Sequence, residues 1–157
     1  MSELKIDWQW KSFEQLSGLE VAQIMQLRQD VFILEQKCFY PDIDGHDQEA
    51  LHLMGWVDQT LVATLRLFPS YEAYEGRCSV GRVCTHAEYR RFGLGRQLMS
   101  EAMNYLDEHY PEQQTQIGAQ TYLERFYESF GFTQCSEPYD DEGIEHILML
   151  RDARSSQ

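Results

Sequence analysis

A short apolar stretch, Val80 to Thr85, leads through Arg90-Arg91-Phe92-Gly93-Leu94-Gly95 into a strongly patterned helix, Leu94 to His109. Strand, glycine-punctuated turn and helix in that order require a sheet with a helix packed on it. The next apolar stretch, Thr115 to Ala119, reads as a second strand, and its connection through the helix makes it a parallel crossover. The same segment is suited to holding an anion. Glycine lets the backbone approach a ligand and take up positive φ. The first N–H groups of a helix have no partner inside it, and the helix dipole favours negative charge there.

Charge sharpens this reading. The chain as a whole carries a formal net charge of −13, yet residues 82 to 96 set Arg82, Arg90, Arg91 and Arg96 against Glu88 alone, a local excess of +3 (4 − 1). A cationic patch in an acidic protein suggests a polyanionic ligand. The overall negative charge argues against nucleic acid, which needs a basic face. The spacing fits neither the P-loop nor the dinucleotide-binding pattern.

The remaining elements define an α+β chain. Ile6, Trp8 and Trp10 alternate as a strand, and Ser17-Gly18-Leu19-Glu20 forms a capping box. Val21, Ile24, Leu27, Val31 and Leu34 then repeat at helical spacing, before a polar loop over 36–50. Strands are predicted over 51–57 and 61–68, joined at Asp58-Gln59-Thr60, with a loop over 69–77. In the long helix Leu94, Leu98, Ala102, Tyr105 and Leu106 share a face, and Pro111 ends it. Thr121-x-x-Glu124 reads as a second capping box, Gly131 as a helix stop, and 132–135 and 146–150 as closing strands. At 157 residues a single domain is expected, with its core over about 6–151 and a frayed tail at 152–157. No apolar run approaches the ~20 residues of a membrane span, and no signal peptide is visible. Cys38, Cys78, Cys84 and Cys135 form no metal or disulfide pattern, which fits a reducing cytoplasmic setting. Asp42-Ile43-Asp44-Gly45-His46-Asp47 fails the EF-hand pattern, with Asp47 at the sixth position and Leu53 at the twelfth, so no metal is expected.

Arg90-x-x-Gly93-x-Gly95 resembles the acyl-CoA pyrophosphate loop of the GNAT superfamily of N-acetyltransferases, Q/R-x-x-G-x-G/A. Gln120 to Phe132 resembles its later block, N-x-x-A-x-x-F-Y-x-x-x-G-F, matching at Phe126, Tyr127, Gly131 and Phe132, with Gln120 in place of Asn and Leu123 in place of Ala. Leu27 to Cys38, Tyr40 to Gly45, Gly118 to Gln120 and Tyr139 to Ile147 resemble the ElaA-like branch.

The resemblance implies the GNAT acyl-CoA N-acyltransferase fold: a mixed, mostly antiparallel sheet with a splayed parallel strand pair and helices on both faces. It implies an enzyme that transfers acetyl from acetyl-CoA to a primary amine in a ternary complex. Val83, Cys84 and Thr85 would meet the cofactor through their backbone, with Arg90, Arg91, Phe92, Gly93, Leu94, Gly95 and Arg96 at its pyrophosphate and Gln120 beside it. Tyr127 would protonate the leaving thiolate. The base stays open between Glu35, His52 and His146. The acceptor, a small molecule or a lysine side chain, would meet two acidic loops. One carries Glu35, Asp42, Asp44, Asp47 and Glu49, the other Glu137, Asp140, Asp141, Glu142 and Glu145, which suggests a cationic amine. GNAT folds often pair as homodimers, though no interface is legible here. A non-catalytic acyl-CoA-binding regulatory module and an acyl-homoserine-lactone-synthase-like acyltransferase are the alternatives.

Overall fold

The computed structural model describes residues 4–154, with Phe92 described by its backbone alone. The expected tail therefore lies partly outside the described residues, while Arg151 belongs to a strand and Ala153 is buried. The chain divides into two compact units. One holds residues up to Leu67 together with Arg82–Met99; the other holds Phe68–Gly81 and the rest from Ser100.

In the first unit, β1 (Asp7–Ser12), β2 (Leu51–Val57) and β3 (Thr60–Phe68) form an antiparallel meander. Strand β4 (Ser79–Thr85) lies on its far edge. Trp8 faces Gly55 across the β1–β2 ladder, and a Cβ at Gly55 would come within 2.6 Å of the indole. Helix α1 (Gly18–Arg28) starts where the capping box predicts: the Glu20 N–H donates to Ser17 Oγ at 3.0 Å, and the Ser17 N–H to Glu20 Oε1 at 2.8 Å. Its buried stripe of Ile24, Leu27 and Arg28 continues into Val31 and Phe32, and Ile24, Leu27, Val31 and Phe32 pack with Met54, Leu61 and Cys84.

The helical pattern does not run on unchanged to Leu34. Gln29–Glu35 is a π-helical turn, closed by the Gln36 N–H donating to the Val31 carbonyl at 3.0 Å. The wider turn rotates the stripe away from the core, and Leu34 is 62% exposed.

In the second unit β8 (Ile144–Arg151) is the hub. One edge pairs antiparallel with β5 (Thr115–Gln120) and the other with β7 (Tyr139–Asp141) and then β6 (Phe132–Gln134). A single parallel bridge, Cys78 with Thr115, is present among the described residues. It is made by the Cys78 N–H donating to the Gln114 carbonyl and the Gln116 N–H to the Cys78 carbonyl. The hairpin of β7 and β8 turns on Glu142 and Gly143, both at positive φ, the requirement of a tight two-residue turn.

Helix α2 (Leu94–His109) has the predicted bounds. It buries Leu94, Leu98 and Met99 in the first unit and Ala102, Met103 and Leu106 in the second. Helix α3 (Glu124–Glu128) comes after a 3₁₀ turn at Thr121–Leu123. The second capping box does not form: the Thr121 hydroxyl donates to Glu145, to its carbonyl at 3.3 Å and its Oε1 at 3.0 Å. The helix stops at Glu128 with Ser129 as its C-cap, two residues before the expected Gly131, which at φ +96° closes the turn that follows. No helix among the described residues is long and apolar enough to cross a membrane.

Candidate active site

The features that the sequence suggests for an anion site are concentrated at the start of α2. A 3₁₀ segment, Ala87–Phe92, ends at Gly93, which takes the left-handed conformation at φ +67°. A residue with a Cβ is disfavoured there, which accounts for glycine at this position. The Gly93 carbonyl accepts the Gln97 N–H at 3.2 Å, so α2 opens at once behind it. No acidic residue occupies the first turn of α2, and Arg91 and Arg96 are exposed beside it. N–H groups, dipole and side-chain charge thus coincide at one helix end.

The arginines of this stretch divide into two kinds. Arg90 makes a two-pronged ion pair with Glu35, through Nη1 to Oε2 and through Nη2 to Oε1 at 2.8 Å. Its Nη2 also donates to the Thr85 carbonyl at 2.9 Å, and its Nε to the same carbonyl at 3.2 Å. Arg90 thereby ties the end of β4 to the end of the π-helical turn. Arg82 belongs to a separate lattice with the acidic loop.

That lattice is the densest electrostatic feature of the first unit. Arg28, 1% exposed, donates from Nε to Asp42 Oδ2 at 2.9 Å, from Nη2 to the Asp42 carbonyl at 2.9 Å and from Nη1 to Asp47 Oδ1 at 2.7 Å. Arg66, 4% exposed, donates to both Asp44 carboxylate oxygens, at 2.9 and 2.6 Å, and to Asp47 Oδ1 at 3.0 Å. Arg82 Nε stands 2.8 Å from Asp42 Oδ1. Arginines and aspartates balance three to three, so the loop's aspartates are neutralised by the protein's own cations. They are no longer a free negative field for an amine. Sequence spacing missed this arrangement, although it held a signal: Arg28 falls on the buried stripe of α1, where a charge requires a buried partner.

The Arg66 guanidinium is the main cause holding the Asp44 carboxyl well below the usual carboxylate range. For Asp47, burial pushes upward, but the hydrogen bond and charge of Arg28 and Arg66 outweigh it, and the net shift is down. A depressed carboxylate stabilises the fold above its unfolded value, near 3.9 for aspartate, and that contribution is lost as pH falls through the folded value. Stability should therefore be full above about pH 4 and decline in acid. In urea titrations at a series of pH values, Asp44→Asn is expected to flatten this acid dependence. An unchanged slope would remove Asp44 as a source of it.

Glu35, His52 and His146, the candidate bases, occupy different environments. Glu35 is held below its ordinary range by the hydrogen bond from Arg90. His52 is 1% exposed, its Nε2–H donating to the Asp47 carbonyl at 2.8 Å, and burial lowers its pKa. His146 lies half-buried on β8, where its Nδ1 donates to the Ile144 carbonyl at 2.8 Å. A carbonyl can only accept, so that bond places a proton on Nδ1 and turns Nε2 away from it.

His146 is in register with Gln120 on one side and Tyr139 on the other, and the Tyr139 ring stacks on the imidazole at 5.9 Å between centroids. The Tyr139 and Tyr74 hydroxyls converge over Gly118, within 3.0 and 3.4 Å of where a Cβ would stand. Neither tyrosine was legible as a site residue, because the short polar β7 that carries Tyr139 has no hydrophobic alternation to announce it. Tyr127, on α3, is 9% exposed beside Phe126 and Phe132. Burial pushes its phenol up to about 12, so the hydroxyl stays protonated across the neutral range. Glu137, Asp140, Asp141, Glu142 and Glu145 are all exposed, with no ion pair among the described residues. Val83, Cys84 and Thr85 come directly after Arg82 on β4, and burial raises the Cys84 thiol to about 12, which keeps it neutral and unreactive. The side chain of Phe92 lies outside the described residues.

The family described as the acetyltransferase (GNAT) domain matches residues 20–152. A UPF0039 protein of Synechocystis, sll0451, is 43% identical over 149 residues, 94% of this chain and 96% of that one. Protein ElaA of Escherichia coli is 38% identical over 149 residues, 94% of this chain and 97% of its own. The crystal structure of E. coli ElaA superposes with a TM-score of 0.87 at 36% identity, covering 94% of this chain and all of that one. The crystal structure of an acyl-CoA N-acyltransferase from Pseudomonas aeruginosa does so with a TM-score of 0.86 at 37% identity, covering 92% and 99%. The chain belongs to the GNAT acetyltransferase family and has the GNAT acyl-CoA N-acyltransferase fold.

Proposed function

We propose that this GNAT-family chain transfers an acetyl group from acetyl-CoA to a cationic primary amine, by direct attack within a ternary complex. The observation that carries the reading is the N-terminus of α2, opened by a left-handed Gly93, with no acidic residue in its first turn. That arrangement suits a pyrophosphate. The backbone of Val83, Cys84 and Thr85 is assigned to the thioester end of the cosubstrate, and Gln120 to its flank. Hydrogen bonds from that backbone would stabilise the carbonyl oxygen as it gains negative charge.

A base first takes a proton from the ammonium group; the freed amine nitrogen then bonds to the thioester carbonyl carbon, the C–S bond breaks, and the nitrogen's second proton leaves to solvent. Of Glu35, His52 and His146, His146 fits that role best. Glu35 is committed to Arg90, and His52 is sealed in the core. Tyr127 supplies a proton to the departing thiolate. The acceptor's positive charge is drawn by the β7–β8 hairpin, whose carboxylates are exposed and carry no ion partner among the described residues. The aspartates of the first acidic loop do not contribute to this attraction, since Arg28, Arg66 and Arg82 neutralise them. None of the four cysteines is in a disulfide, which accords with a cytoplasmic setting.

Rates of thiol release from acetyl-CoA across polyamines, amino sugars, amino acids and lysine peptides test the acceptor class. Polycations are expected to give the highest kcat/KM, and His146→Ala to lower it about 10²-fold with acetyl-CoA affinity kept. A preference for neutral or anionic amines would overturn the cationic assignment, and an active His146→Ala protein would remove the base.

A further inference from the structure

Arg82 stands within β4 at φ +50°, a left-handed conformation that residues with a Cβ adopt rarely, and least often inside a strand. A left-handed residue in a strand interrupts the regular ladder and redirects the chain beyond it, as in a bulge. Val83, Cys84 and Thr85 are the residues so redirected, and the chain is tied to β3 at their far end, where the His86 N–H donates to the Val62 carbonyl at 2.7 Å. Backbone strain of this kind persists only where the surroundings hold it.

The surroundings are specific. Arg82 Nε lies 2.8 Å from Asp42 Oδ1, and Nη2 donates to the Asp42 carbonyl at 3.0 Å and lies 3.4 Å from Asp44 Oδ2. The guanidinium also covers the Tyr40 ring, 5.2 Å from its centroid. Asp42 and Asp44 are themselves fixed from below by Arg28 and Arg66, both almost wholly buried. Arg82 is thus the outer end of a chain of contacts running from α1 through the acidic loop to β4. Its charge is engaged there, which makes it a poor phosphate ligand.

We propose that Arg82 is a positioning residue for acyl transfer: through its side chain, Asp42 and Asp44 hold β4 in the left-handed kink that sets the direction of the Val83–Thr85 backbone. The proposal rests on the reading that this backbone meets the acyl-CoA. It gives the acidic loop a role other than attracting an amine. It also explains why each of the loop's three aspartates meets two arginines.

Three substitutions separate the parts. Arg82→Ala removes the ties and leaves the kink strained. Arg82→Gly removes the ties but makes the kink free of strain. Asp42→Asn weakens the ties and keeps the arginine. In the unliganded protein, amide exchange and HN–Hα couplings at Val83–Thr85 should change in Arg82→Ala and Asp42→Asn and stay near wild type in Arg82→Gly. With acetyl-CoA and amine, Arg82→Ala should lose about 10²-fold in kcat/KM, the scale of a small misplacement of reacting groups, and Arg82→Gly should recover most of it. A purely structural arginine would lower the melting temperature of both variants and leave kcat and KM of the folded fraction alone. Unchanged amides in Arg82→Ala, or a glycine variant no better than the alanine one, would overturn the proposal. If the wild-type protein binds no acyl-CoA, the functional reading fails separately, while the amide measurements still decide whether the lattice holds the kink.

Discussion

Replacing Tyr127 by phenylalanine is expected to slow acyl transfer by about 10²-fold or more, with acyl-CoA affinity unchanged, the usual scale for losing an acid–base group. The substitution keeps the ring, which packs edge-on against Phe126 at 5.2 Å and Phe132 at 6.2 Å between centroids, so the fold is not disturbed. It removes a hydroxyl that burial holds in its protonated form, with its pKa pushed up to about 12. Such a group is a reluctant acid toward water, but it can give its proton to a nascent thiolate in a dry site, as the leaving sulfur gains charge. Single-turnover rates together with calorimetric affinity for CoA distinguish the two contributions. Equal single-turnover rates in wild type and variant would mean that solvent or another group protonates the thiolate.

Removing Arg28 is expected to have the largest effect on stability. Arg28→Met leaves Asp42 and Asp47 without their principal buried cation, and breaking one partner out of a buried ion pair costs about 3–5 kcal/mol. Lysine should not rescue it, because a point charge cannot reproduce three donors directed at two carboxylates and a backbone carbonyl. Combining Arg28→Met with Asp47→Asn should recover part of the loss, since the stranded charge is removed along with its partner. Urea midpoints of the single and double variants measure both effects. A loss under about 1 kcal/mol for Arg28→Met, the range of exposed pairs, would show that the lattice contributes little to the fold.

The fold was legible in the sequence where local signals agree. Helix α2 begins and ends as read because Gly93 precedes it, Pro111 lies just beyond it, and its apolar residues keep one period throughout. The Ser17–Glu20 box was equally decisive, since both of its reciprocal bonds form. Agreement failed where tertiary contacts prevailed over pattern. Thr121-x-x-Glu124 has the spacing of a box, yet Glu145, 24 residues away, captures the threonine hydroxyl. Leu34 fits a 3.6-residue period, yet the π-helical turn rotates it into solvent. The strand at Tyr139–Asp141 is too short and polar to show alternation.

The candidate site was legible to a different degree at each residue. The glycines and arginines before α2 form a contiguous motif, and motif spacing is what a sequence displays. The arginine partners of Asp42, Asp44 and Asp47 lie 14 to 40 residues away in sequence, and no spacing rule assigns them. Composition alone made the loop look like an unpaired negative patch, whereas the fold pairs its three aspartates with Arg28, Arg66 and Arg82. Likewise Glu35, His52 and His146 were equal candidates for the base. Their surroundings separate them: an arginine clamp, a sealed core, and a backbone carbonyl that places a proton on Nδ1.

Thiol release from acetyl-CoA, monitored with and without a polyamine on one preparation of the protein, addresses the acyltransferase assignment most directly. Release that requires the amine, saturates in both substrates and yields the N-acetylated amine in equal amount is the expected result. Acetyl-CoA bound tightly but never turned over with any amine would contradict catalysis in favour of a binding module, and absence of binding would contradict the anion site at the start of α2.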